Sequence, residues 1–124
     1  MTATHICFRI YLASGARIGP GKVAILEEIA RSGSIAAAGR SLGISYKQVW
    51  KLLEELNDTL GSPVVAGIKG GAGGGGSRLT QLGKDVVDCY RAIEGECAVV
   101  VHEHLLDFEE VHPPAAGFGR QRVT

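Results

Sequence analysis

The sequence predicts a mainly α-helical protein with a small β-sheet, and three observations support this fold class. Apolar residues recur every three or four positions in several segments, two of these segments are separated by a turn of only three residues, and two short β-like segments flank a run of glycines. A chain of 124 residues can form one domain whose core needs no metal or disulfide. Its 45% hydrophobic and 21% charged residues are typical of a globular protein.

The first segments along the chain are a strand and a helix. Residues Ile6–Ala13, "ICFRIYLA", mix β-branched and aromatic side chains at a period near two, which predicts a short strand. From Lys22 to Ser32 the apolar residues return at helical spacing, and Pro20 stands near the start, where helices prefer proline.

Two further helices are predicted to follow in close succession. Ser34 is placed to cap the second helix, which ends at Leu42-Gly43, and Ser45 is placed to cap a third helix that runs to Leu60. Two helices joined by so short a turn form a helix-turn-helix arrangement.

The third helix is predicted to have one buried face and one exposed face. At about 100° per residue, the apolar residues Val49, Leu53, Leu56 and Leu60 form the buried stripe. The opposite face carries Lys47, Lys51, Glu54 and Asp58, with Ser45, Tyr46 and Gln48 at its amino-terminal end. Lysines can neutralise phosphates or reach guanine edges, and Gln48 can pair with adenine in the major groove. The alternative is a charged face that only keeps the helix soluble.

Two aromatic residues of the third helix have more than one interpretation. Trp50 lies about 100° from the centre of the buried stripe, where it can contact a sugar–phosphate backbone or pack over the first helix, and packing is favoured. Tyr46 can contact a phosphate or a thymine methyl, or be a half-buried tyrosine without a function.

The stretch "GIKGGAGGGGSRLT" contains the spacing G-x-G-x-x-G at Gly71, Gly73 and Gly76. A dinucleotide site would need a helix starting at the glycines and a later parallel strand, and neither is predicted. A linker between domains is disfavoured because Ile68 and Leu79 look like paired strand residues. The glycines are therefore interpreted as the tip of a hairpin, which either lies against DNA or contacts nothing.

The last predicted element is a long helix capped by Thr80. Apolar residues recur along it to about Phe108, and the prolines and glycines that follow predict a loose tail. The predicted organisation is a helix-turn-helix domain at 1–79, a long helix at 80–108 and a flexible tail at 109–124. A helix of about 25 residues is roughly 37 Å long, more than a small domain needs to cover its own core.

Charge and cysteines indicate where the protein works. Residues 1–91 hold 11 Lys and Arg against 7 Asp and Glu, whereas residues 92–119 hold none against 6, so a polyanion can bind on one side.

Cys7, Cys89 and Cys97 are odd in number and widely spaced, and the amino terminus has no signal-peptide pattern. The sequence predicts a reduced, cytoplasmic protein that does not enter a membrane.

The histidines and cysteines of the last helix do not indicate a chemical site. His102 and His104 are two residues apart, so they point in opposite directions on a helix, and a solvated acidic helix end is favoured over weak metal binding. Cys89 and Cys97 cannot bond within one helix; reduced thiols are favoured over a bond across a dimer. No nucleophile–base pair stands out, so no enzyme, metal or cofactor is expected.

The motifs also carry a family resemblance. The stretch "GSIAAAGRSLGISYKQVWKLLEELNDTLGSPVV" and the following "GGAGGGGSRLTQLGKDVVDCYRAIE" resemble the amino-terminal winged helix-turn-helix domain of the ModE molybdate-responsive transcription regulators. The LysR-type regulators share the general plan. The resemblance covers roughly residues 6–94, and the combination of "SYK", "W", "ELN", the glycine-rich wing and "RLTxLG" is more specific than any one motif.

The resemblance implies a homodimer that binds a palindromic operator in double-stranded DNA. The recognition helix would be residues 45–60 and the wing residues 70–78. The DNA-binding residues expected from spacing and resemblance together are Ser34, Ser45, Tyr46, Lys47, Gln48, Lys51, Lys69, Gly73, Gly74 and Arg78. The residues expected to form the dimer contact are Val86, Tyr90, Ile93, Cys97, Val100 and Val101.

The chain departs from the family pattern in its length, and a second function is also compatible with the sequence. Full regulators of the family continue into a molybdate-binding module, so molybdate is not expected to bind this chain, which is either a natural single-domain member or a fragment. The rival is a winged-helix module that binds a protein partner through its acidic late helix and does not bind DNA.

Overall fold

The structure, a computed structural model, describes residues 5–71 and 74–113, except for the side chains of 69–75. Four helices and two two-stranded antiparallel sheets follow one another in this part of the chain. In chain order these elements are β1 (Ile10–Tyr11), β2 (Arg17–Ile18), α1 (Pro20–Ser32), α2 (Ile35–Leu42), α3 (Tyr46–Leu60), β3 (Val65–Gly71), β4 (Gly74–Leu79) and α4 (Gln81–Val111). The predicted fold class, mainly helical with a small β component and a long last helix, is confirmed.

The amino-terminal strand is much shorter than predicted. Only Ile10 and Tyr11 of the expected strand are in β conformation, and they pair antiparallel with Ile18 and Arg17. The strand is short because its partner strand, β2, has only two residues. The turn between the two strands begins directly after Tyr11, where the N–H of Leu12 donates to the carbonyl of Ala16 at 2.8 Å.

The three helices that follow have the predicted boundaries to within two residues. Ser34 caps α2 and Ser45 caps α3, each with its hydroxyl oxygen accepting a backbone N–H of the first turn at 3.0 Å. Such caps satisfy N–H groups that have no partner inside the helix. The helix-turn-helix arrangement predicted from the serines, the glycines and the apolar spacing is confirmed.

The core lies where these three helices meet the base of the second sheet. The buried stripe predicted for α3 is confirmed, because Val49, Leu53 and Leu56 are at most 1% exposed and Leu60 packs at the edge of the core. They pack with apolar residues from the other elements, including Val23, Leu26, Ile29, Ala38, Val64, Leu79 and Tyr90.

The glycine run is a β-hairpin, as predicted, and its strands extend into the glycines. Val65 pairs with Leu79 and Ile68 with Gly76, so most of the glycines belong to strands. The hairpin is fixed at two places: the N–H of Ser77 donates to the Gly33 carbonyl at 2.9 Å, and the N–H of Val64 donates to Oδ1 of Asn57 at 2.9 Å. We call this hairpin, β3 and β4, the wing.

The last helix begins at the base of the wing. The hydroxyl of Thr80 accepts the N–H of Gly83 at 3.1 Å and donates to the Pro63 carbonyl at 2.8 Å, which confirms the predicted cap. The helix runs to Val111, three residues beyond the predicted end. Residues 109–111 of the predicted tail are therefore helical. From residue 114 onward the predicted tail lies outside the described residues.

The chain divides into two compact units. One comprises Phe8–Tyr90 and holds the three helices, the wing and the start of α4. In the other, residues 5–7 accompany the remainder of α4, and a small pocket is lined by Ile6, Ala98, Val101 and two histidines, His5 and His102.

Candidate nucleic-acid interface

The start of α3 presents an exposed polar surface. Lys47, Gln48 and Lys51 are exposed, while Val49 between them is fully buried. This alternation follows from helical geometry, since residues three or four positions apart share a face. The surface lies at the amino-terminal end of the helix, where unpaired N–H groups and the helix dipole favour a negative ligand.

The cations of this surface have no acidic partner among the described residues. Elsewhere in the same unit cations are paired: Nζ of Lys22 lies 3.3 Å from Oε1 of Glu55, and Arg31 is hydrogen-bonded to Glu28. That bond lowers the pKa of Glu28 below its ordinary value, with Ser41 adding a second hydrogen bond in the same direction. Because Lys47 and Lys51 have no such partner, their charges remain available to an external anion.

The other predicted DNA-binding residues lie on α2 and the wing. Ser34 is half-buried, and its hydroxyl oxygen is used as the cap of α2. Arg78 is exposed on β4 opposite Ala66, and Gly74 is the first residue of that strand. The side chain of Lys69 and all of Gly73 lie outside the described part of the chain.

A groove between α3 and the wing contains residues that the sequence analysis left out of the site. Its volume is about 320 Å³, and its lining includes Trp50 of α3 together with Ile68 and Ser77 of the wing. Trp50 is in edge contact with Tyr46, one helical turn earlier, with ring centroids 6.4 Å apart. The spacing of four residues between the two aromatic rings was the signal that could have indicated this pair.

A comparison with family models identifies the domain that carries this surface. The model described as "Bacterial regulatory helix-turn-helix protein, lysR family" matches residues 21–84, which include α1, α2, α3 and the wing. This match spans more than half of the chain. The chain belongs to the LysR family of bacterial helix-turn-helix regulators. Its helix-turn-helix is therefore a DNA-binding domain of transcription regulation, and the prediction that the protein is no enzyme is confirmed.

Curated relatives agree with the resemblance seen in the motifs. The chain is 45% identical over 85 residues to the molybdenum-pterin-binding protein MopB of Rhodobacter capsulatus, covering 68% of this chain and 32% of that protein. It is 37% identical over 98 residues to the molybdenum transport protein ModE of Azotobacter vinelandii, covering 77% and 36%. To the DNA-binding transcriptional dual regulator ModE of Escherichia coli it is 38% identical over 71 residues, covering 57% and 27%. The chain thus spans about a third of the length of these relatives.

Solved structures of LysR-type regulators share the fold. The full-length regulator LysG of Corynebacterium glutamicum, solved with bound arginine, matches with a TM-score of 0.56 at 20% identity, covering 75% of this chain and 30% of that one. A second LysR family regulator, VV2_1132, matches with a TM-score of 0.54 at 12% identity, covering 74% and 29%. At these identities the likeness concerns the fold alone.

The residues predicted to form a dimer contact fall into two groups on α4. Val86 and Tyr90 are buried within the Phe8–Tyr90 unit, where Tyr90 stacks on Phe8 at 4.5 Å and donates its hydroxyl to the Phe8 carbonyl at 2.8 Å. Because these two side chains are buried, they expose little surface to a partner chain, and the dimer proposal does not include them. The later residues are at least partly exposed: Ile93, Cys97, Val100 and Val101.

The described residues offer no sign of a metal centre, a membrane-spanning helix or a disulfide. No group of three or more His, Cys, Asp or Glu side chains in residues 5–71 and 74–113 is arranged to hold a metal ion. None of the helices in that part is long and apolar enough to cross a membrane. Cys7, Cys89 and Cys97 are all exposed thiols without a disulfide.

Proposed function

We propose that this LysR-family protein is a transcriptional regulator that binds a two-fold symmetric DNA operator as a homodimer. In this proposal α3 enters the major groove with Lys47, Gln48 and Lys51, and the wing follows the backbone beside it through Arg78 and the main chain of the glycines. The single observation that carries the proposal is the exposed start of α3, whose lysines have no acidic partner among the described residues.

The dimer part of the proposal is supported by the apolar residues on the late half of α4. Val100 is 52% exposed, Phe108 58% and Val111 71%, and they lie with Ile93 and Cys97 on one face of the helix, where the step from Val100 to Phe108 is eight positions and the other steps are three or four. His104 stands on the same face between them. Exposed apolar side chains in a continuous stripe are typical of a helix that is covered by a partner. We propose that this stripe packs against the same stripe of a second copy.

The molybdenum in the relatives' names is not part of the proposal. The match to those relatives covers about a third of each of them, and the family model of regulatory helix-turn-helix proteins matches residues 21–84. We therefore assign no contact with molybdate, or with any other effector, to the residues that the structure describes.

The test is a binding selection from random duplexes, followed by titration of the selected duplex at 50 to 200 mM salt. We expect a preferred site of two inverted half-sites, and an affinity that falls steeply with salt because bound phosphates release counterions. Lys47→Glu should abolish binding, because it replaces a phosphate-neutralising charge with a repelling one. The matched control is Lys84→Glu on the exposed face of α4, which makes the same charge change away from α3 and should leave most of the affinity.

Two results would refute the proposal. If Lys47→Glu bound the selected duplex as the wild type does, α3 would not be the reading helix. If no duplex were selected and the protein instead retained a protein partner through its acidic late helix, the rival function would replace DNA binding.

A further inference from the structure

A pocket at the start of α1 gathers three cationic side chains within the Phe8–Tyr90 unit. Its volume is about 270 Å³. Its lining is Arg9, Arg17, Gly19, Gly21, Lys22, Leu52 and Glu55. Leu52 follows Trp50 by two positions, so it lies about 160° around α3 from that residue. This pocket is therefore on the other flank of α3 from the groove beside the wing.

The pairing of β1 with β2 brings two arginines onto one face. Tyr11 pairs with Arg17, and two residues before Tyr11 the same register places Arg9 opposite Gly19. Side chains two positions apart on a strand point to the same face, so Arg9 and Arg17 are diagonal neighbours. The side chain of Arg9 does lie over Gly19, because a Cβ at that glycine would be 3.0 Å from Nε of Arg9. Since Gly19 is the N-cap residue of α1, Arg9 lies at the start of that helix.

The start of α1 adds positive charge of its own. Gly19 has no side chain that could accept the N–H groups of the first turn, and Pro20 has no N–H. The N–H groups of Gly21 and Lys22 are therefore without a side-chain cap at the positive end of the helix dipole. The first turn also holds no acidic residue, although acidic residues stabilise a helix start. Cations at this position therefore favour an anion from outside the chain.

The charge of the pocket is only partly balanced. Oε1 of Glu55 lies 3.3 Å from Nζ of Lys22, which also donates to the Arg17 carbonyl at 3.0 Å. Unlike Lys22, the guanidinium groups of Arg9 and Arg17 have no acidic partner in the part of the chain that the structure describes. Three cations and one carboxylate in the described lining leave a net charge of +2.

We propose that this pocket binds a small dianionic oxyanion of the phosphate type, held by Arg9, Arg17 and the free N–H groups at the start of α1. Guanidinium groups present paired donors that match phosphate oxygens, and N–H groups at a helix start bind the same oxygens. The charge of a phosphate dianion is equal and opposite to that of the pocket. The pocket has room for phosphate alone or for a phosphomonoester whose small organic group packs on Leu52. Phosphate binding here does not depend on DNA binding by α3.

Calorimetric titration of the whole chain with inorganic phosphate tests the site at constant ionic strength and at about pH 8, where phosphate is a dianion. We expect saturable binding with a Kd of about 1 mM or tighter. Sodium chloride should give no saturable heat, because a chloride ion cannot accept paired hydrogen bonds from two guanidinium groups. Glycerol phosphate is the second probe: tighter binding than that of inorganic phosphate identifies a phosphomonoester as the ligand, and equal or weaker binding identifies phosphate itself.

Charge-removing variants locate the site. Arg9→Gln and Arg17→Gln should each weaken phosphate binding about tenfold, because hydrogen bonds to a charged group are lost. Arg40→Gln is the matched control, since it makes the same change at an exposed arginine of α2 outside the pocket and should leave phosphate binding unchanged. Gly19→Ala keeps every charge but places a methyl group against Arg9, so it should also weaken phosphate binding. Circular dichroism shows whether each variant is folded.

Three results would overturn the phosphate site: no saturable binding by the wild type, unchanged affinity in both Arg9→Gln and Arg17→Gln, or an equal loss in Arg40→Gln. A fourth concerns DNA. If free phosphate does not bind while the Arg9 and Arg17 variants lose affinity for the selected duplex, the pocket contacts the DNA backbone instead, and the small-anion site is again overturned. The regulator proposal is tested separately by duplex selection and Lys47→Glu, so either proposal can fail without the other.

Discussion

Gly83, in the first turn of α4, is the position where one added methyl group should disturb the wing most. A Cβ at Gly83 would lie 2.2 Å from the carbonyl oxygen of Val64, which already accepts the N–H of Thr80 at 3.0 Å. Real Cβ atoms do not approach oxygen so closely, so α4 and the base of the wing must separate by on the order of 1 Å in Gly83→Ala.

The size of the effect follows from three contributions. Forcing an extra methyl into a packed site costs about 1–3 kcal/mol, and stretching the Thr80–Val64 hydrogen bond costs about 1 kcal/mol more. Replacing a helical glycine by alanine gains about 1 kcal/mol. We therefore expect Gly83→Ala to lower the free energy of unfolding by about 1–3 kcal/mol.

The same helix supplies a matched control. No heavy atom lies within 4 Å of where a Cβ would stand at Gly95, so Gly95→Ala keeps only the gain in helix propensity. Urea unfolding measures both variants, with the fluorescence of Trp50, the only tryptophan of the chain, for the Phe8–Tyr90 unit and circular dichroism for the helices. If Gly83→Ala were as stable as Gly95→Ala, the close approach of α4 to Val64 would not exist and the position of the wing would need another explanation.

Two further predictions concern the cap of α3 and the stripe of α4. Ser45→Ala should lower the free energy of unfolding by about 1 kcal/mol in urea unfolding, because the N–H of Gln48 loses its acceptor. Ser45→Asp should keep the cap and the stability but weaken DNA binding in a duplex titration, because a carboxylate would face phosphate. Val100→Glu should shift the protein toward monomer in sedimentation velocity, whereas Val99→Glu, an equally exposed neighbour about 100° away on the helix, should not. Equal behaviour of the two glutamate variants would remove the stripe from the dimer proposal.

The helix-turn-helix could be predicted from sequence because its signals are local. Ser34 and Ser45 cap helices whose apolar spacing and terminal glycines are visible within a few residues of chain. The wing could be predicted only in outline. The sequence indicated a hairpin, but the length of its strands depends on backbone pairing across the glycines, for which side-chain pattern gives no signal.

Features set by distant contacts could not be predicted. Periodicity placed Val86 and Tyr90 on the apolar face of α4, and it cannot distinguish a residue that packs into its own unit from one that packs on a partner. The hydroxyl of Tyr90 bonds to the carbonyl of Phe8, which lies 82 positions earlier. The β1–β2 pair is similar, because the two-residue partner strand has no periodicity of its own and limits the strand predicted from Ile6.

The glycine run borders the groove between α3 and the wing, because Gly76 is part of its lining. Gly76 pairs with Ile68 across the wing, and a Cβ at Gly76 would lie 2.7 Å from the Gly33 carbonyl oxygen, so only glycine lets β4 lie this close to the turn between α1 and α2. That close approach holds the wing beside α2 and thereby forms one wall of the groove. The absence of a side chain on Gly76 also leaves Ile68 without a covering neighbour on its cross-strand side, which accounts for its exposure. At this position the glycine therefore does two things: it sets the distance from the wing to the helices, and it leaves the apolar side chain of Ile68 uncovered at the edge of the groove.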